Sequence, residues 1–267
     1  MLSVCATPIG NLEDVTLRVL RELAEADVIL CEDTRHTRGL LERHGVKGRL
    51  QSYHRHNEAA RVAELLPRLE AGERVALVSD AGLPGVNDPG ARLIAAALEA
   101  GVPVTVLPGA SAVETALVAS GLAGERFQFL GYLPRGERAL ATLWAELDHW
   151  PHPAVAFESP RRLPATLRSL ASAHPGRRVA VCRELTKRFE EVVRGTATEL
   201  AERFKESPKG EITLVVGPAA DGVAADDGEA AAAVVELVGA GVPRRQAADL
   251  VARLTGASRN ALYRDSL

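Results

Sequence analysis

Four loops rich in glycine, proline and charged residues each follow a short apolar run, the position at which α/β proteins bind their ligands. They comprise Thr7–Leu12, Cys31–Arg38, Ser79–Gly90 and Pro108–Ala112. None contains GxGxxG or GxxxxGK[ST], so the motifs exclude a Rossmann dinucleotide site and a P-loop nucleotide site. The twelve residues of Ser79–Gly90 exceed the roughly two to six of an ordinary strand-to-helix connection. These loops predict a small-molecule pocket lined by backbone groups.

A second group of candidate residues is the stretch from Glu32 to Arg61, which holds four of the seven histidines. Its segment Tyr53–Asn57 combines an aromatic ring with several hydrogen-bond donors, a pattern that fits a nucleic-acid contact and equally a solvated basic surface. The stretch has neither HxxxH nor HExxH spacing, so no metal site is expected. The chain also lacks the GxSxG elbow of a serine hydrolase.

The elements that must position these loops alternate between apolar runs and amphipathic stretches. Strands are predicted at Leu2–Thr7, Val28–Cys31, Arg74–Ser79 and Val104–Leu107, and helices at Val15–Ala26, Thr34–His44, Asn57–Ala71 and Pro89–Ala100. Nearly continuous apolar strands separated by helices indicate a buried parallel sheet, hence an α/β fold. Because the carboxyl ends of parallel strands meet at one edge, the four loops should lie side by side.

A second alternating block follows, and the predicted domains are built on it. Its strands are predicted at Phe127–Leu130, Ala154–Phe157, Arg178–Arg183 and Glu211–Gly217, and its helices at Arg138–His149, Arg161–Ala173 and Thr198–Glu206. We assign one α/β domain to residues 1–112, a second to 113–219, a small acidic linker to 220–228 and a helical unit to 229–267. The last unit resembles a helix-turn-helix, although a helical cap on the body fits as well.

Composition narrows the classes of protein further. A formal net charge of −3, with 46% hydrophobic and 25% charged residues, is typical of a globular chain and excludes disorder, a coiled coil and nucleic-acid binding through bulk positive charge. The cysteines Cys5, Cys31 and Cys182 form no CxxC pair, so neither a zinc site nor a disulfide framework is expected. The chain starts without a basic segment and has no apolar run of about 18 residues, which predicts a cytoplasmic protein without a membrane span.

Six segments, taken together and in order, resemble the tetrapyrrole-methylase superfamily of S-adenosylmethionine enzymes. More narrowly, they are similar to the branch that methylates a cytidine ribose 2′-oxygen in bacterial small-subunit ribosomal RNA. The segments are ATPIGN at Ala6–Asn11, EDTRHT at Glu32–Thr37, SDAGLPGVNDPG at Ser79–Gly90, PGAS at Pro108–Ser111, ESPRR at Glu158–Arg162 and RELTK at Arg183–Lys187. Leu83 and Asn87 stand where the family usually has Thr and Ser, which removes a hydroxyl at position 83 but leaves the backbone of the loop.

The resemblance implies two α/β domains with S-adenosylmethionine in the cleft between them, a homodimer and a helical appendage. Carried over residue by residue, the cofactor-binding set is Pro8, Asp80, Gly82, Leu83, Val86, Ser111, Ala112, Phe157 and Leu185. The implied partner is the decoding region of small-subunit rRNA, either naked or within the assembled 30S subunit. The candidate contacts to this RNA are Glu32, Arg35, Arg38, Arg161, Arg244 and Arg245.

Methyl transfer to a ribose hydroxyl needs in-line alignment and benefits from a base that accepts the hydroxyl proton. The carboxylates at predicted strand ends are the candidates, namely Asp33, Glu158 and Glu184. We rank Asp33 and Glu158 first as catalytic residues because their segments match the family and should face the cleft.

Two other functions stay open at this stage. A methylase of a small tetrapyrrole would share the fold and the cofactor, although the EDTRHT segment and the helical tail argue against it. A non-catalytic RNA-binding assembly factor would keep the fold without the chemistry, and methylation of rRNA would exclude it. Sedimentation with ribosomal subunits, compared with absorbance changes of a porphyrinoid, separates the two ligands.

Overall fold

The computed structural model describes residues 1–219, 227–255 and 258–266. The first half of the chain forms a five-stranded sheet whose order is β3-β2-β4-β1-β5 and whose strands all run parallel. The strands are β1 (Leu2–Cys5), β2 (Val28–Cys31), β3 (Leu50–Ser52), β4 (Val75–Val78) and β5 (Val104–Leu107). The helices between them are α1 (Leu17–Glu25), α2 (Thr34–Arg43), α3 (Glu58–Glu70) and α4 (Ala91–Glu99).

The central strands of this sheet are buried on both faces. Every residue of β1, β2 and β4 is buried, because α1 and α2 cover one face of the sheet while α3 and α4 cover the other. The predicted buried parallel sheet is therefore confirmed. The short edge strand β3 is absent from the predicted strands, since its residues Leu-Gln-Ser form no apolar run.

A second five-stranded sheet follows, in the order β6-β7-β10-β8-β9. Its strands are β6 (Gln128–Tyr132), β7 (Ala154–Glu158), β8 (Arg178–Arg183), β9 (Glu191–Thr196) and β10 (Ile212–Val216). The accompanying helices are α5 (Ala112–Ser120), α6 (Glu137–Asp148), α7 (Leu163–Ala173) and α8 (Ala197–Arg203). Only β6 and β7 pair in parallel, and the other three pairings are antiparallel. The α/β fold with two sheets is confirmed.

The helix α5 connects the two sheets. It follows the last strand of the first sheet, yet its apolar residues Val113, Ala116 and Leu117 pack on Val155 and Val215 of the second sheet. This places the crossover between the two halves immediately after the Pro108–Ser111 loop. The predicted division at residue 112 stays a prediction.

Three helices end the chain, α9 (Asp227–Gly239), α10 (Arg244–Thr255) and α11 (Arg259–Asp265). They pack around a small apolar core that includes Val234, Ala247, Val251 and Leu262. Helix α9 already begins inside the predicted linker, whose residues 220–226 lie outside the described residues. Within the described part of the chain, no helix combines the length and the hydropathy that a bilayer-crossing segment needs.

The buried side chain of Arg177 connects the end of α6 with the residue that follows β10. Its side chain is 4% exposed, and its guanidinium donates to the carbonyl oxygens of Gly217 at 2.8 Å and Leu147 at 3.1 Å and lies 3.5 Å from an Asp148 carboxylate oxygen. Each buried carbonyl would lose its partner if the guanidinium were removed. An unpaired buried polar group costs about 1–3 kcal/mol.

Arg177→Met should therefore lower the free energy of unfolding by about 2–4 kcal/mol, because the replacement fills the space but leaves those carbonyls unpaired. Urea denaturation followed by circular dichroism measures the change. Arg178→Met is the matched control: Arg178 is the exposed neighbour, and its replacement should shift stability by no more than about 0.5 kcal/mol. Equal losses in the two variants would contradict the assigned role of Arg177.

Candidate functional site

Two loops of the first sheet are joined by a pair of backbone hydrogen bonds. The Thr7 N–H donates to the Gly82 carbonyl at 2.8 Å, and the Gly82 N–H donates back to the Thr7 carbonyl at 3.0 Å. The Thr7 hydroxyl also donates to the Ser79 carbonyl at 2.9 Å. Because β1 and β4 are neighbours, these bonds hold the loops that follow them side by side at the carboxyl edge of the sheet.

The last residue of the Ser79–Gly90 loop is held by a side chain of α3. The Gly90 N–H donates to a Glu58 carboxylate oxygen at 3.1 Å, and the Tyr53 hydroxyl donates to the same oxygen at 2.9 Å. Tyr53 is 1% exposed, so the interpretation of its ring as a nucleic-acid contact is wrong. Its ring belongs to the core between the sheet and α3, and its hydroxyl positions the loop.

We call the part built on the first sheet the first lobe, and the part built on α5–α8 and β6–β10 the second lobe. The second lobe closes one end of the space next to these loops. The Asn11 N–H donates to the Thr186 hydroxyl at 3.0 Å. A side chain at Gly10 would place its Cβ 2.9 Å from the Leu185 carbonyl oxygen and closer still to Lys187. Only glycine permits this approach, so the ATPIGN and RELTK segments meet as a contact between the two lobes.

Between the lobes lies a cleft of about 1150 Å³. Eight of the nine predicted cofactor-binding residues line it: Asp80, Gly82, Leu83, Val86, Ser111, Ala112, Phe157 and Leu185. The ninth, Pro8, is buried between two residues that do line the cleft, Ala6 and Ile9. The structure thus brings the predicted set together from loops of both lobes.

Asp33 lies outside the cleft lining and caps a helix. Its carboxylate accepts the Arg35 backbone N–H at 2.8 Å at the start of α2 and pairs with the Arg35 guanidinium at 2.8 Å. These hydrogen bonds hold the pKa of the Asp33 carboxyl far below its usual range. A carboxylate with so low a pKa is a weak proton acceptor, so the geometry does not favour Asp33 as the base.

Glu158 lines the cleft, but its oxygens are already occupied. Its side chain is 0% exposed, and Oε1 lies 3.3 Å from Arg162. Oε1 also accepts the Ser159 N–H at 2.6 Å, and Oε2 accepts the Thr166 hydroxyl at 2.5 Å. This arrangement fixes the turn from β7 to α7 and leaves no free oxygen directed at a substrate.

Glu184 is engaged in the same way. Its carboxylate accepts the Glu211 N–H at 2.9 Å and the Lys187 ammonium at 3.0 Å. The backbone hydrogen bond and then the lysine lower the pKa of Glu184. It braces the RELTK turn and, among the residues described, is not part of the cleft lining.

Asp88 is a cleft carboxylate that the sequence analysis passed over. It lines the cleft and is half-buried. Burial, and next the negative charge of Glu32, raises its pKa to about 6, while the Ser79 hydroxyl and Arg55 act in the opposite direction. The sequence signal that could have identified it was its place in the long Ser79–Gly90 loop. In the structure, the residue before it, Asn87, adopts a left-handed backbone (φ +63°).

A cluster of aromatic side chains lines the cleft from the second lobe. The sequence analysis named only one of its members, Phe157. The ring centroids of Phe129 and Phe157 are 5.0 Å apart, and those of Tyr132 and Phe157 are 5.5 Å apart, both in edge-to-face arrangements. All three rings line the cleft. Such pairs are stabilising beyond the area they bury.

The six predicted RNA contacts come from three parts of the chain, around the start of α2, just before α7 and at the start of α10. Arg35 is 86% exposed and pairs with Asp33. Glu32 is half-buried and near enough to Asp88 to raise its pKa. Arg38, Arg161 and Arg245 are exposed and Arg244 is half-buried, the last two at the start of α10. None of the six belongs to the cleft lining among the described residues.

The lining of the cleft fits S-adenosylmethionine chemically. Ile9, Val113, Phe157 and Leu185 offer apolar surface for a flat purine ring. The loops 79–90 and 108–111 bring backbone donors and acceptors for a ribose and an amino-acid end, and Asp80 supplies a negative charge for a cationic group. Mostly apolar walls with a few fixed polar groups are typical of cofactor sites.

Comparison with known proteins agrees with this geometry. The model of the family "Tetrapyrrole (Corrin/Porphyrin) Methylases" matches residues 1–201, and that of the "RsmI C-terminal HTH domain" matches residues 224–265. The protein named ribosomal RNA small subunit methyltransferase I from Mesorhizobium japonicum is 44% identical over 266 residues, 98% of this chain and 90% of that protein. Its namesake from Micromonospora olivasterospora is 43% identical over 98% of this chain and 85% of that protein.

Solved structures show the same fold. A crystal structure of uroporphyrin-III-C-methyltransferase from Thermus thermophilus superposes with a TM-score of 0.57 at 25% identity, covering 82% of this chain and 94% of that one. A crystal structure of diphthine synthase superposes with a TM-score of 0.62 at 17% identity, covering 81% and 89%. The chain therefore belongs to the tetrapyrrole methylase family, as an S-adenosylmethionine-dependent methyltransferase of the group named ribosomal RNA small subunit methyltransferase I.

Proposed function

We propose that the chain transfers the methyl group of S-adenosylmethionine to the 2′-hydroxyl of a cytidine in the decoding region of small-subunit rRNA. The observation that carries the proposal is the cleft between the lobes. Its volume of about 1150 Å³ exceeds the roughly 300–1,000 Å³ of a pocket for one small ligand. It has room for a cofactor and a nucleotide together, and the names of the relatives point to the rRNA as the source of that nucleotide.

The proposed cofactor wall consists of the loops that follow β1, β4 and β5. When bound, S-adenosylmethionine supplies a methyl group carried on a positively charged sulfur. Gly82–Val86, Ser111 and Ala112 would hold it through backbone groups, with Phe157 and Leu185 closing from the second lobe. Because most of these contacts come from the main chain, Leu83 in place of the family's threonine leaves the site functional.

We assign the proton-accepting role to Asp88. Among the carboxylates considered, it is the one that lines the cleft and keeps a pKa near 6. In this role the Asp88 carboxylate would accept the proton that the ribose 2′-hydroxyl gives up when its oxygen is methylated. Asp33 and Glu158, the bases predicted from the sequence, then act as positioning residues that fix α2 and the β7–α7 turn.

The proposed setting is the one that the family resemblance implies. The substrate is rRNA, naked or within the 30S subunit, the assembly is a homodimer, and the compartment is the cytoplasm in which ribosomes are built. Exposed Arg35, Arg38, Arg161 and Arg245, together with Arg244, would contact the RNA phosphates, which neutralises charge locally although the whole chain is slightly acidic. Glu32 would instead accept hydrogen bonds from RNA hydroxyl or amino groups.

The activity is tested with 30S subunits that lack the modification. The chain and labelled S-adenosylmethionine should yield 2′-O-methylcytidine, identified by mass spectrometry of nucleosides and mapped to the decoding region. Ala112→Phe fills the cleft and should abolish transfer, whereas Ala95→Phe on the exposed face of α4 should leave it intact. Methylation of a porphyrinoid but not of the subunit would overturn the proposal.

The role of Asp88 predicts a pH profile. A base must be deprotonated, so kcat/KM should rise tenfold per pH unit below about 6 and level off above it. Asp88→Asn should lower kcat roughly 10²- to 10⁴-fold and remove the inflection. Asp14→Asn, at an exposed aspartate, is the control and should keep both rate and profile. An unchanged inflection in Asp88→Asn would assign it to another group.

A further inference from the structure

Two rings on β6 face the same side although a regular strand would separate them. Phe129 and Tyr132 both contact Phe157, yet residues an odd number of positions apart point to opposite faces of a strand. The pairing of β6 with β7 explains this, because its register shifts between Phe129 and Tyr132. Gly131 adopts a left-handed backbone there (φ +67°), and a bulge of this kind redirects the next side chain.

The bulge is also held by the first lobe. A Cβ at Gly131 would lie 3.0 Å from the Asn87 side-chain oxygen, so the backbone of the second lobe contacts the loop that carries Asp88. Tyr132 therefore lies where both lobes meet. Partial burial raises the pKa of the Tyr132 hydroxyl. The charged groups that also act on this pKa come from both lobes, Glu211 and Glu158 from one and Asp88 and Arg55 from the other.

The exposure of Tyr132 contrasts with its surroundings. The residue is 65% exposed, although its ring contacts the Phe157 ring. The chain has only ten Phe, Tyr and Trp residues, and four of them line this one cleft, namely Phe127, Phe129, Tyr132 and Phe157. Such concentration of aromatic surface beside Asp88 points to a planar ligand at the mouth.

The proposed reaction requires a stacking partner for the base of the target nucleotide. A ribose hydroxyl can enter a cleft between two lobes only when its nucleotide leaves the helical stack, and the freed base then loses its stacking partners. Aromatic side chains replace that stacking in proteins that bind single-stranded RNA. A small cofactor, by contrast, buries most of its surface. It therefore fits the loops after β1, β4 and β5 better than the exposed edge of the cleft at Tyr132, which we call the rim.

We propose that Tyr132 is the stacking platform for the base of the target nucleotide, with Phe157 supporting its ring from below. The inference rests on the proposed 2′-O-methylation of rRNA. Its ligand is a flat pyrimidine presented by unstacked RNA. The platform contributes to RNA recognition and leaves the affinity for the cofactor unchanged.

Three variants test the role of the ring. Tyr132→Phe keeps the stacking face, Tyr132→Leu keeps apolar volume without it, and Tyr132→Ala removes both. Phe189→Ala is the matched control, because Phe189 is equally exposed (65%) and is not among the residues that line the cleft. For each, kcat/KM is measured on unmodified 30S subunits, and the dissociation constant for S-adenosylhomocysteine is measured by calorimetry, which also shows that the variant is folded.

Loss of one stacking contact should lower kcat/KM for the subunit roughly 10- to 100-fold in Tyr132→Ala and Tyr132→Leu. Tyr132→Phe and Phe189→Ala should stay within about twofold of the wild type, and all four variants should bind S-adenosylhomocysteine as the wild type does. This pattern would support the platform.

Three results would overturn the inference while the wild-type chain is active. Weaker binding of S-adenosylhomocysteine by Tyr132→Ala, in proportion to its loss of activity, would place the ring against the cofactor. Equal impairment of Tyr132→Phe and Tyr132→Ala would assign the effect to the hydroxyl. Wild-type efficiency in Tyr132→Ala would show that the base stacks elsewhere. Absence of methylation by the wild-type chain would instead refute the proposed function itself.

Discussion

Two backbone hydrogen bonds between Thr7 and Gly82 are the constraint on which the cleft depends. They join the loops that follow neighbouring parallel strands, so the main chain of both loops is held in one place before any ligand arrives. Buried backbone groups must be paired in any case, and here their pairing with each other also shapes a floor. In our proposal a site built in this way tolerates changes of side chain, so that Leu83 can stand where the family usually has threonine.

The two walls of the cleft serve different ligands in our account. Deep loops of the first lobe offer backbone groups and apolar side chains, which suit a small cofactor. The rim carries Asp88 and Tyr132, one from each lobe, which suit the ribose and the base of one nucleotide. The Asn11–Thr186 contact and the Gly131–Asn87 contact hold the lobes together. In our proposal these contacts fix the two walls that would align the donor and the acceptor of the methyl group.

The sequence predicted the parallel sheet and the loops that line the cleft because buried strands are continuous apolar runs and loops after such strands share an edge. It missed β9, whose residues Glu191–Thr196 form no continuous apolar run and pair antiparallel with β8. The burial of Tyr53, the occupied oxygens of Glu158 and the orientation of Tyr132 each depend on partners distant in sequence. Local pattern gives residue type and position, whereas the role of a carboxylate or ring is decided by those distant partners.

The most direct test of the central claim is a crystal structure of the chain with S-adenosylhomocysteine at saturating concentration. The account predicts density between the Gly82–Val86 loop and Leu185, with backbone contacts dominating and Tyr132 left free at the rim. An empty cleft in crystals whose protein binds the compound in solution, or density on another face of the molecule, would contradict it.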